Sequence, residues 1–352
     1  MSSSPSLEKG EFDHIPVIDL APLRSPLLQE RQRLAREIYT ACTQVGFFYI
    51  KNHGIPEELI ATLREAAQRF FSLPEEQKME TSIRKSKKYR GFIPLNCEQP
   101  TGTDLEPAPE PDPSTAAFSE AFDIGYELDA DPQRSPTDTL PADAYELYGD
   151  NQWPRDDLLP GFREVYRRYF AEALTLCRAM IRIFALALDL PEDFFDPMVN
   201  YPGATSRMLH YPPQPAADAI RIGLGEHTDY ECFTLLLQDQ VPALQVRNSR
   251  GEWILAPPIP GTLVVNIADC LSIWTNKIFK STIHRVTNLT GQERYTIPFF
   301  FGVDYDTTVS VLPSCISDDR PACKPAFKAG EWVRHQMTRA YPGYEEPARG
   351  DS

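Results

Sequence analysis

His227, Asp229 and His284 are the residues of this chain best suited to do chemistry together. In an extended backbone, side chains two apart point to the same face, so His-Thr-Asp at 227–229 brings an imidazole and a carboxylate to one point. His284 lies in Ser281-Thr282-Ile283-His284-Arg285-Val286, a segment with strand character. Two histidines and one carboxylate on one face of a metal ion leave its opposite positions open. Non-haem Fe(II) centres use that arrangement to take O2 and an organic co-substrate. An H-x-D tripeptide alone is common by chance, and a lone histidine is more often a satisfied core residue. Arg294-Tyr295-Thr296 shifts the balance. Residues 294 and 296 share a face and offer a guanidinium fork and a hydroxyl to one carboxylate. A buried arginine there needs an anion, and the distal carboxylate of 2-oxoglutarate would supply it. The competing reading is a surface arginine at the start of a strand.

The elements that must position these groups fall into three regions. Residues 10–96 open with an apolar strand, Ile15 to Leu20, followed by a helical pattern through Leu34, Ile38 and Cys42. Gly46 to Ile50 reads as a second strand, and a helix starts after Pro56. Residues 97–158 change character. Pro, Asp, Glu, Thr and Ser dominate 98–115 and 129–144, which predicts long loops of the kind that serve as lids, with an ordered island at Ala121 to Gly125. A long helix is expected over 161–188. From 203 to 312 the chain is strand-rich, with runs at 206–211, 233–238, 243–247, 253–256, 262–267 and 294–301. Short strands so closely spaced predict an antiparallel sandwich or barrel. A last helix is expected over 330–340. The organisation expected is an N-terminal α/β region over 1–158, then the long helix, β-core and C-terminal helix over 159–352.

Composition excludes several classes. The chain has 352 residues, 42% hydrophobic, enough to bury a large core. The net charge of −15, with 50 acidic against 35 basic residues, disfavours nucleic acid as a partner. The basic run Arg84-Lys85-Ser86-Lys87-Lys88 reads as a solvated loop. No apolar run is long enough for a transmembrane helix, and Met1-Ser2-Ser3-Ser4-Pro5 does not read as a secretory signal. Seven scattered cysteines without a C-x-x-C pair argue against a disulfide framework or structural zinc, and make the cytoplasm the expected compartment. His53 and His210 read as structural, with His210 facing away from its neighbour Tyr211. Cys232 and Cys270 read as small apolar residues.

Further motifs carry a family resemblance. They are Gly225-Glu226-His227-Thr228-Asp229, Pro260 to Asn266, Lys280 to Val286 and Arg294-Tyr295-Thr296. Upstream lie Ile15 to Leu20, Asn52-His53-Gly54, Phe122 to Gly125 and Asn151-Gln152-Trp153-Pro154. In these the chain resembles the isopenicillin N synthase-like family of iron(II)/2-oxoglutarate oxygenases over nearly its whole length. The resemblance implies a mainly β fold with flanking helices around a double-stranded β-helix, or jelly-roll, core. It implies Fe(II) held by His227, Asp229 and His284, with 2-oxoglutarate held by Arg294 and Thr296 and hydrogen-bonded by Tyr211. It places Phe300 and Arg207 near a small organic substrate. The implied reaction consumes O2, releases succinate and CO2, and hydroxylates or desaturates that substrate, in keeping with specialised metabolism. Leu209 and Ala268 depart from common family residues, asparagine and glycine respectively, and Thr296 replaces the usual serine. Two alternatives stay open: a 2-oxoglutarate-independent oxidase, since such relatives also carry the arginine and hydroxyl pair, and a non-catalytic jelly-roll binding protein.

Overall fold

A computed structural model of the chain describes residues 11–99, 116–214, 221–342 and 344. The first segment forms β1 (Val17–Asp19), α1 (Leu28–Gln44), β2 (Phe47–Lys51), α2 (Glu57–Phe71), the short α3 (Glu75–Lys78) and β3 (Gly91–Ile93). After it come β4 (Glu120–Gly125) and the long α4 (Phe162–Ala187). The strand-rich part comprises β5 (Thr205–Tyr211), β6 (Leu224–His227), β7 (Phe233–Gln238), β8 (Leu244–Arg247), β9 (Trp253–Leu255) and β10 (Thr262–Ile267). Then follow α5 (Asp269–Trp274), β11 (His284–Val286), β12 (Arg294–Phe301), the short strands β13 (Thr308–Val309) and β14 (Phe327–Lys328), and α6 (Ala329–Ala340).

Two sheets build the core. The larger has eight strands in the order β1-β2-β10-β7-β12-β5-β4-β3, and the smaller has four, β6-β11-β8-β9. Only the β1–β2 pairing is parallel among these neighbours. Side chains from both sheets line one cavity. The result is the jelly-roll core with flanking helices.

The two-residue period of the strands decides which side chains reach that cavity. On β5, Thr205, Arg207, Leu209 and Tyr211 line it, and on β12 Arg294, Thr296, Pro298 and Phe300 do. The alternate residues face the helical layer. Phe299 packs on Phe170 of α4 at 4.9 Å between ring centroids, and Phe233 of β7 packs on Phe184 at 5.1 Å. Tyr166 of α4 donates to Ser206 Oγ at 3.2 Å. Each buried phenylalanine contributes about 1.5–3 kcal/mol relative to exposure, so this face anchors the sheet on α4. α1 and α2 pack beside α4. The turn from α1 into β2 passes through Gly46, whose φ of +79° suits glycine, and a Cβ there would run into the Lys280 carbonyl oxygen.

The strands and helices expected from periodicity are present, within one or two residues of their expected bounds. The island at 121–125 is the core of β4. Sequence patterning did not indicate β3, α5, β13 or β14, because each is too short to express a period. Of the two expected loops, residues 100–115 lie outside the described residues. The 129–144 stretch is irregular apart from a 3-10 turn at Leu128–Ala130, and it is pinned by Asp131. That carboxylate is buried and takes Arg178 Nη1 and Nη2 at 2.6 and 2.8 Å and the Tyr126 hydroxyl at 2.6 Å. All seven cysteines are free. Among the described residues no helix is long and apolar enough to cross a membrane.

Candidate metal centre and co-substrate cavity

His227 closes β6 and His284 opens β11, and the two are cross-strand partners. That register sets their rings side by side, with centroids 4.1 Å apart. Asp229 departs from the expected geometry: β6 ends at His227, so the carboxylate is not presented by a continuing strand. The turn after β6 is held by α5 instead. The Asp269 N–H donates to the Asp229 carbonyl at 2.9 Å, and the Thr228 hydroxyl donates to Asp269 Oδ2 at 3.2 Å.

Hydrogen bonds orient each of these side chains. His227 Nδ1 lies 2.8 Å from the Gly225 carbonyl oxygen, and His284 Nδ1 lies 3.1 Å from that of Thr282. A carbonyl can only accept, so each Nδ1 carries the proton and each Nε2 presents a lone pair. Asp229 Oδ2 accepts from Thr234 Oγ1 at 2.5 Å and from Asn266 Nδ2 at 2.7 Å. Its Oδ1 is left facing both imidazoles, 3.7 Å from each Nε2. The ligand atoms of all three residues lie within 4.8 Å of one another. Phe47 packs edge-on against His284, with centroids 5.1 Å apart. Burial and the neighbouring His227 push the His284 pKa well down, which keeps its imidazole neutral. Burial alone would raise the Asp229 carboxyl, but His284, His227, Asn266 and Thr234 outweigh it and hold it below the usual range. Two imidazoles and a carboxylate, each turning a ligand atom toward one point, suit a divalent cation.

The cluster opens on a cavity with an empty volume of about 1030 Å³, its mouth included. Further along the same wall Arg294 is only 1% exposed. Its Nε donates to the Val241 carbonyl at 3.2 Å and its Nη2 to Gln238 Oε1 at 3.3 Å. Its Nη1 is buried without a partner among the described residues. Thr296 shares the face, and the guanidinium lies over the Tyr211 ring, 4.9 Å from its centroid. Burial raises the Tyr211 phenol, so its hydroxyl stays protonated. An unsatisfied guanidinium N–H beside a hydroxyl is a site for a carboxylate.

Comparison with known proteins decides the family. The pattern described as the 2OG-Fe(II) oxygenase superfamily matches residues 198–303, and that described as the non-haem dioxygenase in morphine synthesis N-terminal region matches residues 15–156. The chain belongs to the 2-oxoglutarate–Fe(II) oxygenases. The 2-oxoglutarate-Fe(II) type oxidoreductase ppzC of Metarhizium rileyi is 35% identical over 336 residues, covering 92% of this chain and 86% of its own. The 2-oxoglutarate-Fe(II) type oxidoreductase hxnY of Emericella nidulans is 35% identical over 332 residues, covering 93% and 90%. A full-length Neurospora crassa protein, solved in complex with alpha-KG, superposes with a TM-score of 0.78 at 26% identity, covering 97% of this chain and all of that one. The oxygenase therefore uses Fe(II), 2-oxoglutarate and O2 and acts on a small molecule. Both oxidoreductases carry 2-oxoglutarate in their names, which favours this reading over the 2-oxoglutarate-independent oxidase.

The remaining expected residues divide. Phe300 and Arg207 both line the cavity of the oxygenase. Arg207 is nonetheless tied up, its guanidinium enclosed by Asp123, Glu98 and Tyr341. His210 faces away, between Glu120 at 2.7 Å and Glu293 at 2.9 Å, and His53 lines a separate cleft. Cys232 and Cys270 are buried with thiol pKa values pushed up by burial. Leu209 presents an apolar side chain to the cavity. Ala268 is extended, with φ −109° and ψ 174°, so glycine is not needed there. Sequence reasoning overlooked Asn266 and Thr234, which orient Asp229, and Glu98, Asp123, Met337 and Tyr341 on the far wall. Asn266 and Asp123 lie inside stretches that carried the resemblance, the one available signal.

Proposed function

We propose that His227, Asp229 and His284 bind the Fe(II) of this oxygenase, and that Arg294, with Thr296 and Tyr211, binds the distal carboxylate of 2-oxoglutarate. One observation carries the co-substrate assignment. Arg294 Nη1 is buried, without a partner among the described residues, on the same cavity as the His-Asp-His cluster. Leaving a charged donor unsatisfied costs at least about 1–3 kcal/mol, which a bound carboxylate removes. When bound, the metal and keto acid supply the oxidising chemistry, with 2-oxoglutarate leaving as succinate and CO2. The chain's part is positioning. Gly225 and Thr282 hold the imidazole tautomers, Thr234 and Asn266 hold the carboxylate, and the apolar side chains of Phe47, Leu224, Leu236 and Val286 exclude water. The substrate is a small organic molecule of specialised metabolism, hydroxylated or desaturated in the cytoplasm, with Phe300 and the Arg207 cluster in its wall.

Anaerobic titration of 2-oxoglutarate into the Fe(II) protein tests the assignment. A visible charge-transfer band is expected, weakened by Arg294→Ala and abolished by His227→Ala. Iron that binds without producing a band overturns it.

A further inference from the structure

The wall of the cavity away from the metal cluster carries a second set of charged groups. Arg207 Nε and Nη2 donate to Asp123 Oδ1 and Oδ2, both at 2.8 Å. Its Nη1 donates to Glu98 Oε1 and Oε2 at 2.7 and 2.9 Å, and its Nη2 donates also to the Tyr341 hydroxyl. A guanidinium has five N–H donors, and these contacts use all of them. Arg207 therefore differs from Arg294, whose Nη1 has no partner among the described residues. It has no N–H left for a ligand.

The acceptors on this wall are in the opposite condition. A carboxylate offers about four lone-pair positions. Arg207 occupies two on Glu98 and two on Asp123. Glu98, Asp123 and Tyr341 all line the cavity. Asp123 is locked in register opposite Arg207 on the neighbouring strand, whereas Glu98 stands on the loop after β3. Arg90, the next cation, is buried, donates to the Leu147 carbonyl at 3.3 Å and does not line the cavity. The same cavity is also lined by the apolar side chains of Leu209, Leu224, Val286, Phe300 and Met337. A ligand that reaches both clusters meets apolar side chains and, at Glu98 and Asp123, groups that can accept hydrogen bonds beside a guanidinium with no N–H left to donate.

We propose that Glu98, backed by Asp123, is a specificity determinant of this oxygenase, selecting a substrate with an apolar body and an N–H-bearing end, a protonated amine foremost, over one ending in a carboxylate. The proposal rests on the reading of this cavity as the substrate cavity of the Fe(II) centre. A carboxylate at this end faces the like charge of Glu98 and finds no guanidinium N–H to replace its water. An ammonium finds carboxylate oxygens with free lone pairs, and a charge-assisted hydrogen bond of that kind changes affinity by about 10- to 100-fold.

Three probes of one shape test this: 3-phenylpropylamine, 3-phenylpropanol and 3-phenylpropanoate. Each is titrated into the anaerobic full-length protein loaded with Fe(II) and 2-oxoglutarate, with Kd read by calorimetry and by perturbation of the charge-transfer band. The amine is expected to bind at least about tenfold more tightly than the acid, with the alcohol between them. Glu98→Gln should bring the amine to the level of the alcohol. Glu98→Ala releases the Nη1 donors of Arg207 and should reverse the order of amine and acid. Tighter or equal binding of the acid to the unaltered protein overturns the proposal, and would make Glu98 a stand-in displaced from Arg207 by a substrate carboxylate. An order unaffected by both substitutions, or no binding of any probe, also overturns it. The band before any probe is added reports separately on the metal-centre assignment.

Discussion

The assignment of Arg294 makes a prediction that can be isolated from every other effect of the side chain. The perturbation is double: Arg294→Ala in the protein, and 2-oxopentanoate in place of 2-oxoglutarate, which puts a methyl where the distal carboxylate was. Arg294 is 1% exposed and makes two hydrogen bonds, to the Val241 carbonyl and Gln238 Oε1, leaving Nη1 to the ligand. Truncating one partner of a buried, hydrogen-bonded charge pair costs about 2–5 kcal/mol. At 1.4 kcal/mol per decade, 2-oxoglutarate should bind roughly 30- to 4000-fold more weakly to the variant. The lost contacts to Val241 and Gln238, and the space left behind, affect both keto acids alike and cancel in the cycle. The unaltered protein should prefer 2-oxoglutarate over 2-oxopentanoate by about the same factor, and the variant should show almost no preference. The assay is the anaerobic charge-transfer titration with each ligand. Equal weakening of both keto acids by Arg294→Ala would refute the reasoning, because the arginine would then be supporting the wall without reading the carboxylate.

Three further outcomes are expected. Asn266→Ala removes one of the two donors that hold Asp229 Oδ2, at 2.7 Å, and should weaken metal binding about 10- to 100-fold in a chelator competition; unchanged affinity would show that Thr234 alone orients the carboxylate. Asp131→Ala leaves Arg178 buried without its carboxylate and should cost about 3–5 kcal/mol of stability in urea unfolding, whereas a loss under about 1 kcal/mol would show that the loop relaxes to solvate the arginine. Burial raises the Asp304 carboxyl from 3.8 to about 6, so the folded protein holds that proton more tightly than the unfolded chain. Its contribution to stability is full below pH 3.8 and is lost as pH rises to about 6, a change of at most about 3 kcal/mol. Asp304→Asn should therefore gain stability relative to the unaltered protein between about pH 4 and pH 8 in parallel denaturant titrations, and a constant difference would contradict the shift.

Much of the fold and most of the His-Asp-His cluster were legible in the sequence, and the main physical reason is period. Tyr211 and Phe300 came from the family resemblance, whereas in β12 the two-residue period put Arg294 and Thr296 on one face. His227 and His284 were readable for the same reason. Asp229 does gather with the two histidines, but not on a continuing strand: the strand stops at His227, and α5, too short to show a helical period, holds the turn that presents the carboxylate. The far wall left no local trace. Glu98 and Tyr341 stand 109 and 134 residues from Arg207 in sequence, and nothing in their immediate neighbours indicates that they meet.

The two ends of the cavity are built by different means, and this decides which can change without loss of the other. At the metal end, the His227–His284 register and the backbone bond from Asp269 to Asp229 tie the donors to the sheets and to α5. Moving one of these means breaking ladder or turn hydrogen bonds that the fold needs. At the far end, one arginine side chain gathers a strand residue, a loop residue and a residue just beyond α6. Substituting Arg207 would strand the buried Asp123 carboxylate and cost stability, so the arginine is a poor place to alter specificity. Substituting Glu98 leaves the Arg207–Asp123 pair intact at both 2.8 Å contacts and changes only what the cavity offers a ligand. A change of substrate class is therefore cheapest at Glu98, where a side chain on a loop, and no ladder hydrogen bond, sets the polarity of the wall.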